Sequence, residues 1–257
     1  MDSGNVVWFE ISAAVKDFYG RLLGWGFALD PDSSAGGVTY TRIMAPGREF
    51  PMGAVYEGPG MEAPNVSIVS ADVAADQARL EKLGATVVVP ATQVSDVTTF
   101  ARLADPQGNV FSLFQNDRTP ERLREFSGRA REQMSAAPVP GAYAWFEIGT
   151  GDVQATREFY GQAFGWTIVL DDSAGGKPYA NVFTGDDRPT GGVYEQGVDY
   201  LMPCFLVTDV PATTARAVDL GARVEFGPDA NPDGLVYARL IDPRGGRFGV
   251  FSTPAAS

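Results

Sequence analysis

Trp8-Phe9-Glu10-Ile11, close to the start of the chain, returns as Trp145-Phe146-Glu147-Ile148 in its second half. The echo continues outward from there. Phe18-Tyr19-Gly20 and Gly24-Trp25 return as Phe159-Tyr160-Gly161 and Gly165-Trp166. Val55-Tyr56-Glu57 returns as Val193-Tyr194-Glu195. Asp72-Val73 with Leu83-Gly84-Ala85 returns as Asp209-Val210 with Leu220-Gly221-Ala222, and Asp105-Pro106 with Gly108 as Asp242-Pro243 with Gly245. Ordered self-similarity of this kind marks a duplicated domain. We read residues 1–117 as the first copy, 118–140 as a linker with a short helix near Glu121–Gln133, and 141–257 as the second copy.

Each copy reads as two β-α-β-β-β units. Val6–Ile11 alternates like a strand, and a helix follows through Phe18, Tyr19, Leu22 and Leu23, with Gly24 as its stop. Strands are expected near Val38–Met44 and Met52–Tyr56. The second unit opens with a strand at Asn65–Ser70. Asp72 is an N-cap and Gly84 a C′ residue for the next helix. Strands near Thr86–Val89, Thr98–Ala104 and Val110–Gln115 close the unit, with Asp105-Pro106-Gln107-Gly108 as a turn. Six residues separate the WFEI and FYG motifs in the first copy and ten in the second. The difference is about one helical turn, so the first helix of the first copy should start a turn later.

The composition narrows the chemistry. The net charge of −12 argues against nucleic acid or an anionic membrane as partner. No apolar run is long enough for a membrane helix and no signal peptide is read, so a cytoplasmic location is expected. One cysteine, Cys204, rules out an internal disulfide. The absence of histidine removes the commonest general base and imidazole metal ligand, and with them any Ser-His-Asp triad. The glycine-rich stretches Ser34–Gly37 and Ser173–Gly176 lack phosphate-loop spacing and read as hairpin turns.

The WFEI strand, the FY-x-x-x-x-GW helix end and the D-P-x-G turn, in order and twice, resemble the vicinal oxygen chelate superfamily. That superfamily includes glyoxalase I, bleomycin-resistance proteins and extradiol dioxygenases. The resemblance implies an α+β fold: two tandem glyoxalase-like domains, each a cup-shaped, eight-stranded mixed sheet with helices outside. It also implies metal ligands on the first strand of each unit and the last strand of each domain. Those positions fall on Trp8, Asn65 and Ser112 in the first copy and on Trp145, Met202 and Gly249 in the second. None is an ordinary ligand for Zn, Ni or Fe, so neither metal nor other cofactor is expected.

Strand alternation puts Glu10 beside Trp8 and Glu147 beside Trp145, facing the cups, with Phe9 and Ile11 toward the helices. A carboxylate in an apolar cup is a candidate general acid or base with a raised pKa, or else a structural group tied to an arginine. Arg102 and Arg239 stand at equivalent places before the last turn, as partners for those glutamates or for an anionic ligand. Trp8 and Trp145 are candidate stacking walls or plugs. Tyr56 and Tyr194 line the mouth or belong to a rim turn. Asn65, Ser67 and Ser112 make the first cup polar, whereas Met202, Cys204 and Gly249 make the second greasier and roomier.

The expected function is binding of an aromatic or polyketide-like small molecule, or metal-free acid–base chemistry on one by Glu10 or Glu147. The alternatives are a metal-dependent glyoxalase or dioxygenase with displaced carboxylate ligands, a drug-sequestering protein, and an interaction protein with filled cups. A homodimer is compatible with all of them.

Overall fold

The computed structural model describes residues 4–29, 39–57, 63–95, 98–116, 139–172, 174–185 and 187–254. Most of the expected linker, including the short helix, lies outside these residues, as do Val38 and Ser34–Gly37. The first sheet contains β1 Val6–Ser12, β2 Gly26–Leu29, β3 Thr39–Met44, β4 Gly53–Glu57, β5 Asn65–Val69, β6 Thr86–Ser95, β7 Thr98–Ala104 and β8 Val110–Asn116. The second contains β9 Tyr143–Thr150, β10 Thr167–Leu170, β11 Tyr179–Phe183, β12 Gly191–Glu195, β13 Tyr200–Leu206, β14 Arg223–Ala230, β15 Val236–Ile241 and β16 Arg247–Ser252.

Both sheets have eight strands with the same connectivity, β2-β3-β4-β1-β5-β8-β7-β6 in the first and β10-β11-β12-β9-β13-β16-β15-β14 in the second. The first strand of each unit lies beside the last strand of that unit in parallel, and the two first strands pair antiparallel at the centre. Strands β2 and β10 escape the sequence reading because only four residues form each, and their outward residues are exposed.

Among the described residues four α-helices complete the units: α1 Lys16–Leu23, α2 Val73–Lys82, α3 Val153–Phe164 and α4 Val210–Asp219. The aspartates Asp72, Asp152 and Asp209 cap their helices by accepting from the backbone N–H three residues on. Gly24 and Gly165 end α1 and α3 in the left-handed conformation that glycine adopts without strain. α1 is eight residues long and α3 twelve, and a short 3₁₀ turn at Ala13–Val15 replaces the missing helical turn.

The helix-facing cores are shared between the domains. Phe9, Tyr19 and Trp25 of the first copy form one core with Phe205, Phe248 and Val210 of the second. Val66, Leu80 and Phe111 of the first form another with Phe146, Tyr160 and Trp166 of the second. Each such side chain contributes on the order of 1.5–3 kcal/mol by leaving water. Polar groups cross the same boundary. The Trp25 indole donates to the Gly141 carbonyl at 2.7 Å, and that of Trp166 to the Gly4 carbonyl at 2.8 Å. Tyr19 donates to Asp242 at 3.2 Å and Tyr160 to Asp105 at 3.0 Å. The repeated FYG, GW and DP motifs therefore join one domain to the other.

Candidate functional site

The inward positions are set by strand register. Trp8 stands opposite Ser67 and Glu10 opposite Asn65, while Phe9 and Ile11 are buried in the helix-side core. In the second sheet Met202 faces Glu147, Cys204 faces Trp145, and Gly249 faces both Cys204 and Arg239.

In the first cup the glutamate and arginine are locked together. Arg102 is wholly buried and donates Nη2 to Glu10 Oε2 at 2.8 Å. Its Nε reaches Ser112 Oγ at 3.3 Å, and its guanidinium lies 4.5 Å from the Tyr56 ring centre. Asn65 Nδ2 donates to the same Ser112 hydroxyl. Asn65 Oδ1 and the Ser67 hydroxyl are buried with no hydrogen-bond partner among the described residues. Trp8 is half-buried.

The second cup contains a cavity of about 580 Å³. Trp145, Tyr179, Tyr194, Tyr237 and Phe251 supply aromatic wall; Met202, Cys204 and Gly249 supply the floor. Gly249 is what leaves that floor low, since a Cβ there would come within 2.5 Å of the Cys204 sulfur. Burial pushes the Cys204 thiol well above its ordinary range, which keeps it protonated and unreactive. The Trp145 indole donates to the Tyr179 hydroxyl at 2.9 Å, fixing both rings.

Here the glutamate and arginine are separated by a third residue. The Tyr200 hydroxyl donates to Glu147 Oε1 at 2.6 Å and accepts from Arg239 Nη1, leaving Arg239 and Glu147 3.6 Å apart. Tyr200 fits because Gly149 lies opposite it; any Cβ at 149 would strike the ring. The first copy has Ser12 and Ala63 at these places, so its arginine meets its glutamate directly. Burial raises the Glu147 carboxyl above its ordinary value, and Tyr200 and Arg239 only partly offset it. The Arg239 guanidinium sits over Tyr194 and Phe226, each 4.8 Å from its carbon.

At the mouth, Lys177 donates to Asp229 at 2.7 Å, Asn231 at 3.1 Å and the Tyr237 hydroxyl at 2.8 Å. It ties the segment before β11 to the β14–β15 hairpin. Burial alone would lower its pKa, but the Asp229 and Tyr237 bonds outweigh that and hold it above the ordinary value.

The structure thus gathers Glu147, Trp145, Tyr194, Met202, Cys204 and Arg239 around one cavity, and buries Glu10, Asn65, Ser67, Arg102 and Ser112 together beneath the other cup. The rim-turn reading of the two tyrosines needs correction. Tyr56 and Tyr194 lie within β4 and β12 beneath the guanidiniums, and only Glu57 and Glu195 after them are exposed. Tyr179, Tyr200, Tyr237 and Lys177 were missed. Gly149 and Gly192, which stand where the first copy has Ser12 and Ala54, signal Tyr200 and Tyr179, whose rings they admit; no such signal marks Tyr237 or Lys177.

The residues at the superfamily's metal positions do not suit a transition metal. They present an indole, an amide and a hydroxyl in one cup, and an indole, a thioether and a bare glycine in the other. Among the described residues no three acidic or cysteine side chains cluster as a metal site, and no helix is long and apolar enough to cross a membrane.

A family model described as a glyoxalase-like domain matches residues 10–114 and again 145–251. The chain is 29% identical to the anthracycline biosynthesis protein DnrV of Streptomyces peucetius, over 96% of this chain and 92% of that protein. Among solved structures it resembles the homoprotocatechuate 2,3-dioxygenase of Arthrobacter globiformis (TM-score 0.57, 17% identity, 98% of this chain and 81% of that one). It also resembles the 2,3-dioxygenase LapB of Pseudomonas sp. KL28 (TM-score 0.55, 13% identity, 100% and 95%). At these identities the dioxygenases share the fold alone.

Proposed function

Because the chain belongs to the glyoxalase-like domain family yet sets no suitable ligands at the metal positions, we propose that its second cup binds a planar, polyketide-type aromatic molecule without a metal ion. The observation that carries this reading is the cavity of about 580 Å³ with Trp145, Tyr179, Tyr194 and Tyr237 in its wall. Its volume is that of a drug-sized ligand site, and flat aromatic walls favour a flat aromatic guest. The similarity to a protein named for anthracycline biosynthesis supports the same class, since anthracyclines are fused-ring aromatic polyketides. The test is titration with an anthracycline, following tryptophan fluorescence. Quenching that saturates at one ligand per chain and falls in W145F supports the reading; no saturable quenching contradicts it.

One observation favours catalysis on the bound molecule as a second reading. Glu147 is a buried carboxyl with a raised pKa, hydrogen-bonded to Tyr200 at the edge of the cavity. Such a group is fitted to general acid–base work, worth about 10²–10⁴-fold in rate. If it acts so, E147Q binds the molecule but no longer converts it. A pure receptor returns its ligand unchanged from the wild-type protein.

A further inference from the structure

The two cups differ at one hydrogen-bond donor. In the first, Arg102 Nε is met by the Ser112 hydroxyl. In the second, the residue paired with the arginine is Gly249, which has no side chain to offer. Arg239 Nε is accordingly buried with no hydrogen-bond partner among the described residues. The guanidinium is held through Nη1, which donates to Tyr200, and through its carbon over Tyr194 and Phe226. Both Arg239 and Gly249 border the cavity. A buried, charged donor left without an acceptor is costly, and a ligand that supplies the acceptor recovers that cost.

We infer that Arg239 Nε–H is the anchor for a ligand oxygen, taking from the ligand the acceptor that Ser112 supplies within the first cup. This rests on the binding reading above and names the chemistry it selects. The Glu147 carboxyl lies 3.6 Å from the same guanidinium, so an anionic oxygen would meet a like charge whenever Glu147 is ionised. A neutral carbonyl avoids that repulsion, and we assign the anchor to the carbonyl of a quinone or aryl ketone at the inner edge of the ring system.

The probes are anthraquinone-2-sulfonate and anthracene-2-sulfonate, which share a flat three-ring frame and an anionic tail but differ in the two carbonyl oxygens. Titrations use wild type, C204S and the double variant C204S/G249S. The double variant reproduces the Ser67 and Ser112 pair of the first cup, and C204S removes the sulfur that a Cβ at 249 would strike. Wild type and C204S are expected to prefer the quinone by about tenfold or more, the worth of one charge-assisted hydrogen bond. In C204S/G249S the introduced hydroxyl satisfies Nε, and the preference falls to nearly one. Equal affinity of wild type for the two probes overturns the anchor and leaves the aromatic cavity standing. A preference that survives in the double variant places the anchor elsewhere. Failure of wild type to bind either probe overturns the cavity reading, and the anchor with it.

Discussion

The Tyr160 hydroxyl of the second domain donates to Asp105 of the first at 3.0 Å, and both groups are buried. Its symmetry mate joins Tyr19 to Asp242. Burial pushes both tyrosines well above their ordinary pKa, so they remain hydrogen donors at any physiological pH. Since each helix-side core also draws on both domains, the halves are one cooperative unit. Y19F and Y160F should each lower stability by about 1–3 kcal/mol through a buried acceptor left short of a partner. Urea unfolding should show a single transition in the wild type and in both variants. Two separated transitions would show that the domains stand independently.

The two glutamate–arginine sites should respond unequally to loss of the arginine. R102M strands the buried Glu10 carboxylate and should cost about 3–5 kcal/mol. R239M should cost less, because Tyr200 still donates to Glu147, whose carboxyl burial has already shifted toward easier protonation. Urea midpoints of the two variants measure the difference. Equal losses would mean that Tyr200 does not separate the two sites energetically.

Glu147 should leave its mark on the pH dependence of stability. Its folded pKa is raised above the ordinary 4.5, so the folded chain holds that proton more tightly than the unfolded one. The resulting stabilisation is present in full below the unfolded pKa and is lost as pH rises through the higher folded value. Wild type should therefore gain stability relative to E147Q as pH falls from neutrality toward the ordinary carboxyl value. The readout is the gap between their urea midpoints. A gap that does not change with pH would contradict the raised pKa.

The duplication, the order of the units and the one-turn deletion in the first helix were legible because they are local: motif order, caps and spacing carry them. So were the inward phase of Glu10 and Glu147 and the greasier floor made by Met202, Cys204 and Gly249. The role of Tyr160 and Asp105 was not legible. A turn aspartate and a helix tyrosine look complete within their own motifs, and only the packing of two domains brings them together. Tyr200 was hidden for a related reason. Its partners come from β9 and β15, and the sign of its presence was a glycine at 149 rather than any feature of the tyrosine itself.

The most direct test of metal-free aromatic binding is a calorimetric titration with an anthracycline of protein stripped by a strong chelator, metal content verified on the same sample. The account predicts one site per chain with the same affinity before and after stripping, and weakened binding in W145F. Binding that disappears on stripping and returns with an added divalent metal would contradict it.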